Sequence, residues 1–249
     1  MTTVEVWGSG QRVVLVHGSV ATGPTEWQGQ RVLADAGYEL VVPTRRAYAE
    51  TPVTRGEDVV GDAAEIADLL GDGGHLVGHS SGGLVALLAA AARPDAVRSL
   101  VVAEPPAFSL AEHEPAVARL RADVEPLFSE AMSDRAFLEE FLPAVGSPVD
   151  ELPTTVLEEW ERLVPALRRG TLMWDVVVPV QALADAPFRI VVVSGGHHPG
   201  FTAMCTHLAQ AVGGEHVVRP GAGHEVQEAP GFTDLLRRVW NGRPTDSPI

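Results

Sequence analysis

The sequence contains no lysine, and all 18 of its basic residues are arginines. The absence of a lysine amine excludes Schiff-base chemistry, attachment of pyridoxal phosphate, and the phosphate-binding lysines of P-loop proteins and kinases. Cys205 is the only cysteine, which excludes an intramolecular disulfide, a zinc–thiolate cluster and an iron–sulfur site. Any catalytic chemistry must therefore come from other side chains.

Long apolar runs are also missing. The longest, residues 84–92, has nine residues and is too short to cross a bilayer. The N-terminus has no basic patch followed by an apolar stretch, so the sequence predicts no signal peptide. We therefore expect a soluble protein of the cytoplasm.

Positive charge is scarce relative to negative charge, with 33 acidic against 18 basic residues and a formal net charge of −15. This balance repels nucleic acid and anionic membrane surfaces, so we expect neither as a partner. Apolar residues make up 45% of the chain and charged residues 20%, which is typical of a globular protein. A chain of 249 residues can bury a large core as one domain or as two.

Short β-branched runs alternate with stretches of helical length. The runs predict strands at residues 12–17, 39–42, 76–78, 99–103, 190–193 and 217–219. The intervening stretches predict helices at residues 26–36, 57–70, 81–92, 201–212 and 232–240. Because most of the strands are continuously apolar, the pattern predicts an α/β fold with a mostly parallel central sheet flanked by helices.

One interval, residues 105–186, departs from this alternation. Helical periodicity dominates it, and residues 176–180 are its one short strand candidate. Residues 104–185 carry 16 acidic residues and 6 arginines, a net charge of −10. The sequence therefore predicts a helical cap at 105–186, inserted into an α/β core domain that comprises 1–104 and 187–249.

The strongest chemical motif is Gly78-His79-Ser80-Ser81-Gly82, which lies between a predicted strand and a predicted helix. Glycines at both ends allow the sharp turn of a nucleophile elbow, which lifts the Ser80 hydroxyl out of the sheet. The same turn directs the backbone N–H of Ser81 and the helix N-terminus at a developing oxyanion. We interpret Ser80 as a nucleophile and His79 as a packing residue.

A second turn, His17-Gly18-Ser19, follows the first predicted strand. We expect the second oxyanion donor there, with the Ser19 N–H as the candidate and the Val20 N–H next to it. His17 is interpreted as a structural residue that holds this loop.

A serine nucleophile needs a base, and the base needs an orienting carboxylate. His224 stands in the glycine-rich segment Gly221-Ala222-Gly223-His224, directly after the last predicted strand. The glycines allow the chain to bring the imidazole over the sheet edge to Ser80. His224 is therefore the predicted base.

These three segments together resemble the α/β-hydrolase fold superfamily. The resemblance spans essentially the whole chain and implies hydrolysis by a Ser–acid–His triad in that chain order, without a metal or an organic cofactor. It also implies that the helical interval is the family's cap, inserted after the sixth strand. Serine at the nucleophile position argues against epoxide hydrolase and dehalogenase activity, for which the family uses aspartate.

The sequence departs from the family's usual position for the acid. The loop 194–199, after the family's seventh strand, contains two histidines and no carboxylate. The sixth strand instead ends directly in Glu104, a placement similar to that in some haloalkane dehalogenases and the zearalenone lactonases. We therefore predict Glu104 as the triad acid, with a cap-anchoring or N-capping carboxylate as the alternative.

Four further polar residues receive structural interpretations. His197 and His198 are adjacent and lack metal-site spacing with His207, so we read them as structural or substrate-lining rather than as metal ligands. Arg45 and Arg46, which follow the strand at 39–42, are read as structural.

The sequence thus predicts a cofactor-independent serine hydrolase that cleaves a carboxylic ester, lactone or thioester of a small, neutral or apolar acyl substrate. The acidic cap favours neutral or cationic substrates over polyanionic ones such as acyl-coenzyme A. Two alternatives remain: a biosynthetic enzyme of the same fold that opens lactones, cyclises or cleaves carbon–carbon bonds, and a non-catalytic ligand-binding member. Poor turnover of simple p-nitrophenyl esters would distinguish the first, and failure to react with a fluorophosphonate probe would distinguish the second.

Overall fold

Seven strands form one sheet in the computed structural model, which describes residues 2–129, 131–147 and 152–245. The strands lie in the order β1-β3-β2-β4-β5-β6-β7, and every neighbouring pair is parallel except β1 and β3. Their bounds are β1 Thr3–Gly8, β2 Gln11–Val16, β3 Tyr38–Thr44, β4 Gly74–His79, β5 Val97–Ala103, β6 Arg189–Ser194 and β7 Glu215–Val218. The predicted α/β class with a mostly parallel sheet is confirmed.

The continuously apolar runs are the central strands, because both of their faces are covered. Val14 and Val16 of β2 pack on one side with α2 (Val59–Leu69), α3 (Ser80–Ala92) and α9 (Pro199–Val212). Val13 and Leu15 pack on the other side with α10 (Phe232–Trp240) and the 3₁₀ segment Gln28–Ala36. Successive residues of a strand thus enter two separate apolar layers.

The structure differs from the sequence analysis at two places in this part of the chain. Strand β1 was not predicted, because it is an edge strand whose residues are exposed apart from the buried Trp7. The helix predicted at 26–36 is instead a short helix α1 (Gly23–Glu26) followed by the 3₁₀ segment. The α-helical path ends at Trp27, which has φ −96° and ψ 16°.

The described residues of the segment between β5 and β6 form helices joined by loops, with no strand among them. The segment holds α4 Phe108–Ala111, α5 Pro115–Ser129, α6 Asp134–Val145, α7 Thr154–Arg168 and α8 Val180–Ala184. Leu138, Leu157 and Val164 belong to an apolar cluster of this segment. We call 105–186 the helical segment below.

The short strand candidate at 176–180 does not form a strand. Val176 and Val178 are buried and Val177 is 76% exposed, so the alternation is real, but the described strands do not pair with it. Pro179 lacks an N–H to donate, and α8 begins at the next residue. Among the helices that the structure describes, none is both long and apolar enough to span a membrane.

Candidate active site

Ser80 is the first residue of α3 and directly follows the last residue of β4. Its φ is +51°, a strained value for a residue other than glycine. A Cβ on Gly78 would lie 2.4 Å from the Gly82 carbonyl oxygen, and one on Gly82 would lie 2.2 Å from the carbonyl oxygen of His17. Both glycines are therefore required by close backbone approach, which is the reason why the pattern identifies this turn.

His224 lies beside the serine, as its place after the last strand predicted. Its Nε2 is 3.0 Å from Ser80 Oγ, and the residue is buried. The loop reaches this position through Gly221 and Gly223, whose φ values are +116° and +60°. The His224 backbone N–H donates to the Gly146 carbonyl at 3.3 Å, which ties the loop to the helical segment.

Glu104 lies on the far side of the imidazole. Its Oε2 is 2.7 Å from His224 Nδ1, which is a hydrogen-bonding distance. Oε1 accepts from the Gly195 N–H at 2.7 Å, so the loop after β6 contributes a donor rather than a carboxylate. Glu104 itself has φ +45° and is fully buried at the carboxyl end of β5. The geometry agrees with the hypothesis, and the role of Glu104 in catalysis remains a prediction.

Burial dominates the electrostatics of this pair. Burial lowers the pKa of His224 well below its ordinary value, and the nearby His79 lowers it further. Burial also raises the pKa of Glu104, against the opposing effects of His197 and the Gly195 N–H. The imidazole is therefore neutral at pH 7 and its free nitrogen can accept a proton.

The two predicted oxyanion residues meet next to the nucleophile. Ser19 Oγ lies 2.9 Å from Ser81 Oγ. A Cβ on Gly18 would lie 3.1 Å from the Ser80 Cβ, which shows how closely the loop after β2 approaches the serine. The next residue, Val20, has φ +53°. The structure thus places the Ser19 loop and the elbow side by side, and donation by their N–H groups remains a prediction.

A buried ion pair lies beneath these two serines. Glu57 accepts from Ser19 Oγ at 2.9 Å and pairs with Arg45 at 2.9 Å, and both charged side chains are fully buried. The Arg45 guanidinium also donates to Ser81 Oγ at 2.8 Å and to the Gly18 carbonyl at 2.9 Å. Arg45 therefore has the kind of structural contacts that its interpretation implied. Glu57 was not singled out from the sequence, since it belongs to no motif.

The histidines of the two turns have different environments. His17 Nδ1 donates to the Gly18 carbonyl at 2.7 Å, and Nε2 accepts from the Arg45 N–H at 2.9 Å. His79 lies 3.2 Å from a Glu26 oxygen through Nδ1 and 2.9 Å from the His224 carbonyl through Nε2. His79 therefore contacts the segment that carries the predicted base, which its interpretation as a packing residue omitted.

The three histidines considered as metal ligands from the sequence, His197, His198 and His207, each have a different partner. His197 Nδ1 is 3.4 Å from Glu104 Oε1, His198 Nδ1 accepts from the Gly200 N–H at 3.0 Å, and His207 Nε2 is 2.9 Å from Glu114. Two other trios in the described chain bring three ligand atoms within 4.8 Å of one another, and each already contains a close histidine–carboxylate hydrogen bond. These are Glu104, His197 and His224, and His113, Glu114 and His207.

A pocket of about 750 Å³ opens at Ser80 and His224. Its wall is largely apolar, and most of its apolar residues belong to the helical segment, with α9 contributing the Phe201 ring. Among the described lining residues are four carboxylates and no arginine. The apolar residues include Val124, Phe128, Phe141, Val145, Trp160 and Trp174, and the carboxylates are Glu26, Glu159, Glu225 and Glu228.

Comparisons with known proteins agree with this geometry. A model of the alpha/beta hydrolase family matches residues 13–233. The pimeloyl-[acyl-carrier protein] methyl ester esterase of Aeromonas salmonicida (strain A449) is 34% identical over 119 residues, which are 47% of this chain and 46% of that protein. The match thus spans about half the length of that curated relative.

Solved structures of similar fold cover nearly the whole chain. A thermophilic esterase from Thermogutta terrifontis is 23% identical with a TM-score of 0.67, over 97% of this chain and 90% of that one. An alpha/beta hydrolase from Sphaerobacter thermophilus DSM 20745 is 23% identical with a TM-score of 0.70, over 96% of both chains. At these identities the likeness shows a shared fold.

Proposed function

Because the chain belongs to the alpha/beta hydrolase family, we propose that it is a serine hydrolase that cleaves a carboxylic ester, lactone or thioester through Ser80, His224 and Glu104. The observation that carries this proposal is one continuous chain of contacts. It runs from Ser80 Oγ to His224 Nε2 at 3.0 Å and from His224 Nδ1 to Glu104 Oε2 at 2.7 Å. Such a chain is the arrangement that activates a serine hydroxyl.

In the first half of the reaction, Ser80 Oγ attacks the carbonyl carbon while His224 Nε2 takes the hydroxyl proton. Glu104 accepts the Nδ1–H, which fixes the tautomer with the Nε2 lone pair toward the serine. When the imidazole becomes charged, the adjacent carboxylate stabilises it. His224 then gives the proton to the leaving alcohol or thiol, and an acyl-enzyme remains on Ser80.

The tetrahedral intermediate carries a negatively charged oxygen, which needs hydrogen-bond donors. The backbone N–H groups of Ser81 and Ser19 are the proposed donors, and the positive end of the α3 dipole adds to them. The buried pair of Arg45 and Glu57 supports this assignment, since it holds both serine side chains and the Gly18 carbonyl. In the second half, water attacks the acyl group with His224 as base, and Ser80 is released.

The pocket indicates the kind of acyl group. Its apolar wall favours a hydrocarbon chain, and its carboxylates without described arginines disfavour anionic substrates. The helical segment acts in this proposal as a cap that encloses the acyl chain. The relative from Aeromonas salmonicida is named as a methyl ester esterase, which supports ester cleavage as the reaction class.

A chain-length series of p-nitrophenyl esters, from acetate to decanoate, tests the proposal. We expect turnover with kcat/KM rising toward the longer chains, because each added methylene is buried against the apolar wall. Reaction with a fluorophosphonate probe without turnover of any ester in the series would favour the dedicated biosynthetic enzyme. Failure of the probe to react at all would contradict the serine nucleophile and favour a ligand-binding protein.

A further inference from the structure

His79, the residue that precedes the nucleophile, is held between two hydrogen-bond acceptors. The Glu26 carboxylate lies 3.2 Å from its Nδ1, and the His224 carbonyl oxygen lies 2.9 Å from its Nε2. The His79 residue is 4% exposed. A neutral imidazole has a single N–H, and only the imidazolium can donate to two acceptors. The geometry therefore favours a positively charged His79.

Glu26 supplies the compensating charge. Its carboxylate also accepts from the Gly18 N–H, at 3.1 Å and 2.9 Å from the two oxygens. Only 6% of its side chain is exposed, and a buried carboxylate is stable when it is paired and hydrogen-bonded in this way. Burial by itself opposes the charge on His79, yet Glu26, together with Glu225 and the His224 carbonyl, raises the pKa of His79 to about 9.

Together the two side chains join three segments of the site. Glu26 fixes the Gly18 backbone beside the proposed oxyanion donor Ser19, and His79 fixes the backbone of His224. The ring centroids of His79 and His224 are 5.0 Å apart, close enough for a charge on one ring to oppose protonation of the other.

We propose that His79 and Glu26 form a positioning pair that holds the His224 and Gly18 loops against Ser80 and keeps His224 unprotonated in the resting enzyme. The inference rests on the proposed function, since it assigns the pair a role in that reaction. The pair lines the pocket, and no described hydrogen bond joins it to Ser80 Oγ or to the His224 ring. The pair acts through the placement and the pKa of the base.

Other charges face the two rings and enter the pH dependence. Besides Glu26, the groups that face His79 are Glu225, Glu228, Glu104, His17 and the His224 carbonyl. Besides His79 and its partner Glu104, the groups that affect His224 are Glu225, His197 and His198. The His79 and Glu26 variants below leave all of the other groups in place, so a shift of the pH profile reports the pair.

His79→Gln keeps a side chain that can donate to the His224 carbonyl but removes the positive charge. On the acid side of the pH profile, kcat/KM falls as the pH decreases, because His224 becomes protonated. We call this part of the profile the acid limb. Without the neighbouring cation His224 protonates more readily, so the limb moves to higher pH. A unit charge at 5.0 Å gives a shift of about 0.6 to 2.4 pH units.

Glu26→Gln and His79→Ala complete the series. Glu26→Gln removes the partner that keeps His79 charged, so the acid limb moves in the same direction. His79→Ala also releases the His224 loop, and kcat should fall by roughly 10- to 100-fold, with partial rescue in His79→Gln. The matched control is His75→Gln, because His75 is a buried histidine of the same strand that bonds Ser99 and does not contact the site.

The readouts are the pH profile of ester hydrolysis, the melting temperature and fluorophosphonate labelling of each variant. An upward shift of the acid limb in His79→Gln and Glu26→Gln, absent in His75→Gln, is the expected result. Profiles of both variants that superimpose on the control overturn the proposal, even if kcat falls. Failure of the proposed function is separately visible, because wild-type protein would then show no labelling or Ser80→Ala would remain active.

Discussion

The α/β body and the helical segment contribute to the site in different ways. The body supplies the three residues proposed for the reaction, Ser80, Glu104 and His224, each at or just beyond the carboxyl end of a strand. The helical segment supplies most of the apolar wall of the pocket. Parallel strands deliver functional groups to one edge of a sheet, whereas a pocket wall depends on how side chains of several helices pack. The chemistry is therefore encoded more locally than the choice of substrate.

Removing the nucleophile should have the largest effect of any change in the body. Ser80→Ala should lower kcat by about 10⁶-fold, by analogy with other serine triads. The melting temperature should hardly change, because the substitution removes one hydroxyl group and keeps the backbone of the turn. Ester turnover and thermal unfolding measure the two quantities, and a folded variant with substantial turnover would contradict the mechanism.

The elbow was predictable because its glycines and its serine lie within five residues of chain, although the close contact that requires Gly82 is made with the distant His17 carbonyl. Glu104 could be proposed from the resemblance to the α/β-hydrolase superfamily, which places the acid after the seventh or, in some members, the sixth strand, because the loop 194–199 has no carboxylate. Glu26 and Glu57 were missed because they meet their partners only in the folded chain: Glu26 lies 53 residues from His79, and Glu57 lies 38 residues from Ser19. No local pattern marks such a residue. The wall of the pocket was not predictable either, since helical periodicity does not fix how the helices lie over the sheet.

Removing the proposed acid should have the second-largest effect on kcat. Glu104→Gln should lower kcat by about 10⁴-fold, because the amide no longer fixes the productive tautomer of His224 or stabilises its charged form. Glu112→Gln is the matched control, since the Glu112 side chain is 58% exposed in the helical segment. Steady-state kinetics of both variants checks the prediction, and a nearly active Glu104→Gln would mean that another group orients His224.

A change in the helical segment should affect substrate choice rather than chemistry. Trp160→Ala removes a large apolar side chain from the pocket wall. We expect kcat/KM for a decanoate ester to fall roughly 10-fold while kcat/KM for the acetate ester changes little, since the short chain does not reach the removed surface. Equal losses on both esters would show that the segment influences the reacting centre directly.

The charge of the helical segment should have the smallest effect. A neutral ester should be preferred over its acyl-coenzyme A counterpart at low ionic strength, and the preference should weaken by a few-fold as salt screens the carboxylates. Glu159→Gln, which removes one carboxylate of the pocket, should reduce the preference for the neutral ester. A preference for the anionic substrate at low salt would show that the acidic surface does not face the entry path.

The most direct test of the triad is the site of covalent modification. Wild-type protein treated with a fluorophosphonate probe, digested and mapped by mass spectrometry should carry one adduct, on Ser80. Glu104→Gln should acquire the same adduct far more slowly, and Ser80→Ala should acquire none. An adduct on a different residue, or equally fast labelling of Ser80 in Glu104→Gln, would contradict the proposed chain from Ser80 through His224 to Glu104.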